Sequence, residues 1–274
     1  MKASSVIGIV VGCLGIAMGA TMEGSQIAAV INPSAIMIVL GGTLGATITG
    51  TSFDSIKAIP KLYKKAFSPD VLDLNGRVAE LVGYAEKARR DGLLALDEQL
   101  QSVEDPFTRK GLQLVVDGTD PELVAEVLDA ENAAMRKRHA AATQPFEKAG
   151  GYAPTMGIIG TVFGLVHVLT NLSHPETLGP LISSAFIATL LGVASANVVF
   201  LPVAARLKQL SAEELHFRSM TLEGILAIQA GDNPRVVAEK LMAYVPPSQR
   251  PTEADEAAAA AACSSSEGRL AGGT

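Results

Sequence analysis

The chain has 274 residues, 48% of them hydrophobic and only 18% charged, with a net charge of −6. A soluble domain carries more charge than this, about 25%. The diffuse negative balance excludes a nucleic-acid footprint, and the two cysteines, Cys13 and Cys263, have no metal-site spacing and no reason to pair.

Four stretches contain no Asp, Glu, Lys or Arg: residues 3–22, 24–53, 149–172 and 177–205. Each can cross a bilayer core, which takes about 20 helical residues. The predicted fold is an all-α polytopic membrane protein, with four transmembrane helices and a helical cytoplasmic domain. Residues 1–53 form one transmembrane hairpin, with spans at 3–22 and 33–53. Residues 54–148 form a cytoplasmic helical loop domain. Residues 149–205 form the second hairpin, with spans at 149–172 and 181–205. A cytoplasmic helical extension, 206–245, precedes a disordered tail, 246–274. The first apolar run is too long for a signal peptide's 7–15-residue core, and three more spans follow it. Lys57, Lys61, Lys64 and Lys65 follow span two, Lys148 precedes span three, and Arg206 and Lys208 follow span four. The positive-inside rule therefore puts both termini and the 54–148 block in the cytoplasm.

Span one places Gly8, Gly12, Gly15 and Gly19 on one helix face, where a neighbouring helix can come close. Span two starts at Pro33. Its Thr43, Thr47, Thr49 and Thr51 can return their hydroxyls to the backbone. Residues 54–67 read as a basic amphipathic helix at the membrane edge, broken by Ser68-Pro69. Val78, Leu81, Val82, Ala85 and Ala88 repeat at helical spacing. Gly92 marks a stop or hinge. Asp105-Pro106 and Asp120-Pro121 are helix starts, and the second helix is expected to end at Pro145. Span four is expected to continue to about residue 230, where Gly231-Asp232-Asn233-Pro234 ends it. A short helix, 234–244, follows.

Span three carries Pro154, which removes a backbone hydrogen bond and kinks or hinges the helix. Thr161 lies on the same side, flanked by Gly157 and Gly164. This smooth face with one hydroxyl suits either close helix packing or the wall of an ion path. Span four has a stripe of Ser184, Ala188, Gly192 and Ser195, with Thr189 on the adjoining line and Pro202 near its cytoplasmic end. The two prolines are either a hinge pair or static kinks. Asn197 is expected to bond between helices, and His167 to reach toward the interface. In the loop, Arg89, Arg90, Asp91, Asp97 and Glu98 surround Gly92 and could dock a partner or simply face water. The same holds for Arg136-Lys137-Arg138-His139, with lipid headgroups as a further option. No nucleophile–base set, phosphate loop or metal constellation appears, so the chain reads as no enzyme and needs no cofactor. Because the spans carry no acidic residue, an ion-binding carboxylate would have to come from another chain.

Four segments carry a family resemblance: IVLGGTLGA in span two, RRDGLLALDE in the loop, YAPTMGIIGTVFGLV in span three and ANxxFLPxAxRL closing span four. With the four-span plan they resemble the MotA/PomA channel subunits of the bacterial flagellar stator, over about residues 1–245. The resemblance implies a homo-oligomer, a pentamer, around a dimer of a MotB/PomB-like single-span partner that supplies an intramembrane Asp. It implies flux of H+ or Na+ and a push on the rotor protein FliG. By the same resemblance Arg89, Arg90, Asp97 and Glu98 match rotor-contacting charges, Asp97 standing where glutamate is expected. Glu131 matches a further rotor-contacting loop charge less closely. Pro154 and Pro202 match the two prolines that couple ion binding to motion, and Thr161 and Thr189 match threonines facing the partner's aspartate. Thr161 is sodium-like and Ala188 proton-like. The competing expectations are an ExbB/TolQ-like energiser of envelope transport and a non-conducting structural membrane subunit. The location expected is the bacterial inner membrane.

Overall fold

The computed structural model describes residues 2–22, 24, 31–68 and 71–250. Every described element is helical. The expected loop residues 23 and 25–30, and the expected tail from 251 onward, lie outside the described residues. The chain divides into two compact units: Met1–Val71 with Ala133–Glu213, and Leu72–Asn132 with Glu214–Thr274. The divisions expected from charge fall elsewhere, at 53/54, 148/149 and 205/206. Charge marks where water begins, whereas packing marks which helices share a core.

In the first unit, α1 spans Lys2–Met22. Helix α2, Pro33–Ile36, is capped by Asn32, whose side chain accepts from the Ser34 and Ala35 amides. A π turn, Met37–Gly41, leads into α3, Gly42–Thr49. This helix stops short of the limit of 53 expected from the apolar run. Ser52 starts a new helix by accepting from the Ser55 amide. The basic segment expected as one helix is two, α4 (Phe53–Lys57) and α5 (Ile59–Phe67), because Pro60 cannot donate to the turn before it.

Helix α9 runs unbroken over Pro121–Thr170, with Pro145 and Pro154 inside it. The expectation that Pro145 ends this helix fails for a local reason. Proline leaves the Ala141 carbonyl without its helical donor, and Ser55 Oγ donates to that oxygen at 3.4 Å. Helix α10, Pro175–Ala194, begins earlier than the expected 181 because Pro175 opens its first turn. Pro180 then forgoes only a bond to the carbonyl of the exposed Glu176. A second π turn, Ser195–Phe200, precedes α11, Leu201–Gln229. Its wider turn lies directly ahead of Pro202, whose ring would otherwise press on the carbonyl four residues back.

Helix α1 packs on the second π turn and on α5, while α2 and the first π turn pack on α10 around Ala35, Val39 and Ala188. Helix α5 lies on Phe146, Val203, Ala204 and Leu207, with Tyr63 edge-on to Phe146 at 5.2 Å. Lys148 Nζ donates to the Gly50 carbonyl at the end of α3, satisfying a group the helix leaves open. Thr47 and Thr49 return their hydroxyls to the backbone at 2.7 and 2.9 Å, and Thr51 does the same. Thr43 does not: its hydroxyl is buried without a partner. Helices Pro121–Thr170 and Pro175–Gln229 are long and apolar enough to cross a membrane; Ile7–Met22 and Pro33–Thr49 are shorter apolar helices.

The second unit is built from α6 (Leu74–Asp91), a 3-10 turn (Leu93–Leu96), α7 (Asp97–Leu100), α8 (Pro106–Val116), the start of α9, the end of α11 and α12 (Pro234–Met242). Asp105 and Asp120 accept from the first-turn amides of their helices, as the Asp-Pro signals imply, and Asp73 and Asn233 cap theirs as well. Gly92 takes φ 87°, open to glycine without strain, and turns the chain out of α6. Leu81, Leu96, Phe107, Leu128, Met220 and Ile225 are fully buried in one core. Beside it the Arg77 guanidinium bonds Thr108 Oγ1 at 2.7 Å, pairs with Glu80 and Asp105, and stacks 4.9 Å from the Phe217 ring. Burial, then the hydrogen bond to Glu80, pushes the Tyr84 phenol well above its usual range. A turn at Pro247–Gln249 lies beyond the expected start of the tail at 246, and Asn75 donates to the Gln249 carbonyl at 2.8 Å.

Candidate functional site

Helices α9 and α10 meet through small residues. A Cβ added to Gly157 would stand 2.9 Å from the Ala188 carbonyl oxygen and 3.1 Å from Thr189 Cα. One added to Gly192 would stand 2.5 Å from the Ala153 oxygen, and one added to Gly164 would stand 2.5 Å from Ala185 Cβ. These are backbone-to-backbone approaches that only glycine permits. Close packing is therefore one use of the smooth face.

The same approach brings Thr161 and Thr189 together. Their hydroxyls bond each other. Thr161 Oγ1 lies 3.1 Å from both the Gly157 and the Ala185 carbonyls, either of which can accept its one proton, and Thr189 Oγ1 lies 3.5 Å from the Gly157 carbonyl. Both side chains are half-buried. Two hydroxyls and two carbonyls thus converge between apolar helices, where the sequence provides no carboxylate. This cluster offers oxygen ligands and hydrogen-bond donors but no fixed charge.

Pro154 and Pro202 are both half-buried. Pro202 follows the second π turn, so the proline and the wide turn occupy one stretch of helix. Asn197 departs from expectation: it is exposed, and its amide donates to the Val193 carbonyl of its own helix at 2.9 Å. His167 is exposed and lines a cavity of about 170 Å³ with Ser34, Gly164 and Ser184.

In the second unit the turn at Gly92 gathers Arg89, Arg90, Asp97 and Glu98, all exposed. Arg90 grips Asp91 through two nitrogens at 3.0 to 3.2 Å. That bond raises the Arg90 pKa and holds the Asp91 carboxyl below its usual range. Lys87 reaches Glu98 at 3.8 Å. Lys87 does not stand out in the sequence, although the turn at Gly92 is what brings Glu98 back to it. Glu131 is not in this group. It pairs with Lys110 at 2.8 Å and Arg218 at 3.6 Å, and Arg218 stacks over Phe107. Among the described residues no cluster of three or more His, Cys, Asp or Glu could hold a metal ion.

Residues 99–220 match the MotA/TolQ/ExbB proton channel family, and residues 6–82 match the motility protein A N-terminal family. Motility protein A of Bacillus subtilis is 36% identical over 251 residues, covering 91% of this chain and 93% of that one. Chemotaxis protein PomA of Vibrio alginolyticus is 33% identical over 256 residues, covering 93% of this chain and 100% of its own length. The structure of C. jejuni MotAB superposes with a TM-score of 0.87 at 30% identity, over 92% of this chain and 98% of that one. The flagellar MotAB stator complex from Bacillus subtilis gives 0.83 at 36% identity, over 88% and 95%. The chain belongs to the motility protein A group of the MotA/TolQ/ExbB proton channel family.

Proposed function

We propose that this chain is the channel-wall subunit of a flagellar stator, converting ion flux across the bacterial inner membrane into torque. The Thr161–Thr189 hydroxyl pair carries this reading. It is a polar point at a glycine-packed contact between the two longest apolar helices, in spans that hold no acid of their own. A single-span partner of the MotB kind brings the missing aspartate to that point. Flux of H+ or Na+ past the aspartate alters its contact with the two hydroxyls, and Pro154 and Pro202 turn the change into helix movement. Five copies surround a partner dimer, and both termini face the cytoplasm with the basic residues that border the spans. The chain has no enzymatic role and no cofactor in this reading. The match of residues 6–82 to the motility protein A N-terminal family favours a stator over the ExbB/TolQ alternative.

The test is expression of the full chain, with and without its partner, in a stator-deficient swimmer. Ion flux and swimming are expected only with both. Substantial coupled flux from this chain alone would remove the shared-site reading, and swimming without flux would leave a structural subunit. Repeating the assay with and without sodium identifies the ion.

Arg89, Arg90, Asp97 and Glu98 form the surface that pushes on the rotor protein FliG. Their exposure around one turn supports this. Glu131, committed to Lys110 and Arg218, serves the packing of its own unit. Arg90→Glu is expected to cut motor torque severalfold, with partial rescue by an opposite charge change on the rotor. Torque that stayed intact would end the docking proposal.

A further inference from the structure

Beside the ion path, the first unit holds a second, separate feature. A cleft of about 320 Å³ opens between α1, α5 and the start of α11. Gly8, Gly12, Phe67, Val198, Pro202 and Arg206 are among its lining residues. Nothing lies within 4 Å of a Cβ added to Gly8, and only Val198 Cγ1, at 3.9 Å, lies near one added to Gly12. Gly8 therefore faces open space, while Gly12 leaves room for an ordinary contact with Val198.

Arg206 makes this cleft unusual. Its side chain is only 10% exposed. Its Nε is buried with no hydrogen-bond partner. Its nearest acid, Glu213, stands 3.8 Å from Nη1, beyond hydrogen-bond distance, and Glu213 also accepts from Gln209. A guanidinium offers five donors in a planar fork suited to phosphate. Burying one with a donor unmet is costly unless an acceptor arrives. The exposed Lys61, Lys64 and Lys65 sit on α5, the amphipathic helix that forms one side of the cleft. On the same α1, Ile7, Val10, Val11 and Leu14 are exposed, as side chains facing lipid would be.

We infer that this cleft binds an anionic phospholipid, its phosphate held by Arg206 and one acyl chain lying along Gly8 and Gly12. A largely apolar cleft with one buried cation in its lining, on a helix pair that also exposes lysines and apolar side chains, fits such an amphiphile. The bound lipid lies against Pro202 and the second π turn, where its presence stiffens the helix. The orientation proposed above decides only that the lipid belongs to the cytoplasmic leaflet; the contact itself is independent of stator function.

The test uses the full chain with its partner, purified in detergent and equilibrated with dioleoyl phosphatidylglycerol or dioleoyl phosphatidylcholine. Native mass spectrometry counts the lipid retained after washing. The wild-type chain is expected to retain phosphatidylglycerol about tenfold over phosphatidylcholine, because the second carries the same phosphate but sets a fixed choline cation beside the Arg206 guanidinium. Arg206→Gln is expected to abolish that preference, and Arg206→Lys to restore part of it. Gly8→Leu is expected to reduce retention of both lipids while keeping the preference, so the site is tested even if the Arg206 variants fold poorly. Equal retention of the two lipids by wild type, or full preference in folded Arg206→Gln, would overturn the site. Retention of neither lipid would mean another chain fills the cleft, and would overturn it equally. Stabilisation by inorganic phosphate as large as that by the lipid would overturn the acyl half. Flux and swimming of the wild type remain as measured whichever way this falls.

Discussion

Gly192→Ala is expected to stop swimming, and Gly192→Val to prevent α9 and α10 from docking at all. The added Cβ would meet the Ala153 carbonyl oxygen at 2.5 Å and Gly157 Cα at 3.1 Å. Both obstacles are backbone, so no side chain can swing aside. The helices must separate, at a cost of about 1–3 kcal/mol for the first methyl. Separation also parts Thr161 from Thr189, whose hydroxyl contact depends on the same approach. Gly45→Ala is the control, because nothing lies within 4 Å of its added Cβ. Soft-agar swimming and the melting midpoint in detergent check both variants. A Gly192→Ala chain that melted and swam as wild type would show that the close approach is dispensable.

Thr189→Val separates chemistry from packing. The two side chains have nearly the same shape, so the helix contact survives. The loss is one hydroxyl and its bonds, worth about 0.5–1.5 kcal/mol. Membrane insertion is expected to continue while swimming falls about tenfold or more, since the polar point between the helices is halved. Thr161→Ser, which keeps its oxygen, is expected to swim nearly normally. Unchanged motility in Thr189→Val would remove the hydroxyl from the ion path.

The sequence displayed the apolar helices plainly, because a bilayer demands long uncharged runs and tolerates few exceptions. Helix starts were equally visible: Asp105-Pro106 and Asp120-Pro121 are local signals that need no tertiary context. Pro145 misleads for the opposite reason. Its effect depends on whether a distant group meets the stranded Ala141 carbonyl, and Ser55 does. The Thr161–Thr189 contact had the same mixed character. Each threonine could be placed on a small-residue face, but their pairing required knowing which two faces meet. The burial of Arg206 left no trace in the sequence, where it reads as one more basic residue after a span.

The bond from Lys148 to the Gly50 carbonyl has a consequence for how such a chain can diversify. It joins points 98 residues apart in sequence. The chain leaves the first pair of apolar helices and comes back to the second at a single spot. The excursion is not free along its whole length: α5 stays packed on Phe146 and Val203, and Leu81, Leu96 and Phe107 share a core with Met220 and Ile225. Only the turns that join those helices can change length while both cores keep their register. The lysine acts as a clasp that holds the two ends of the excursion while its turns vary.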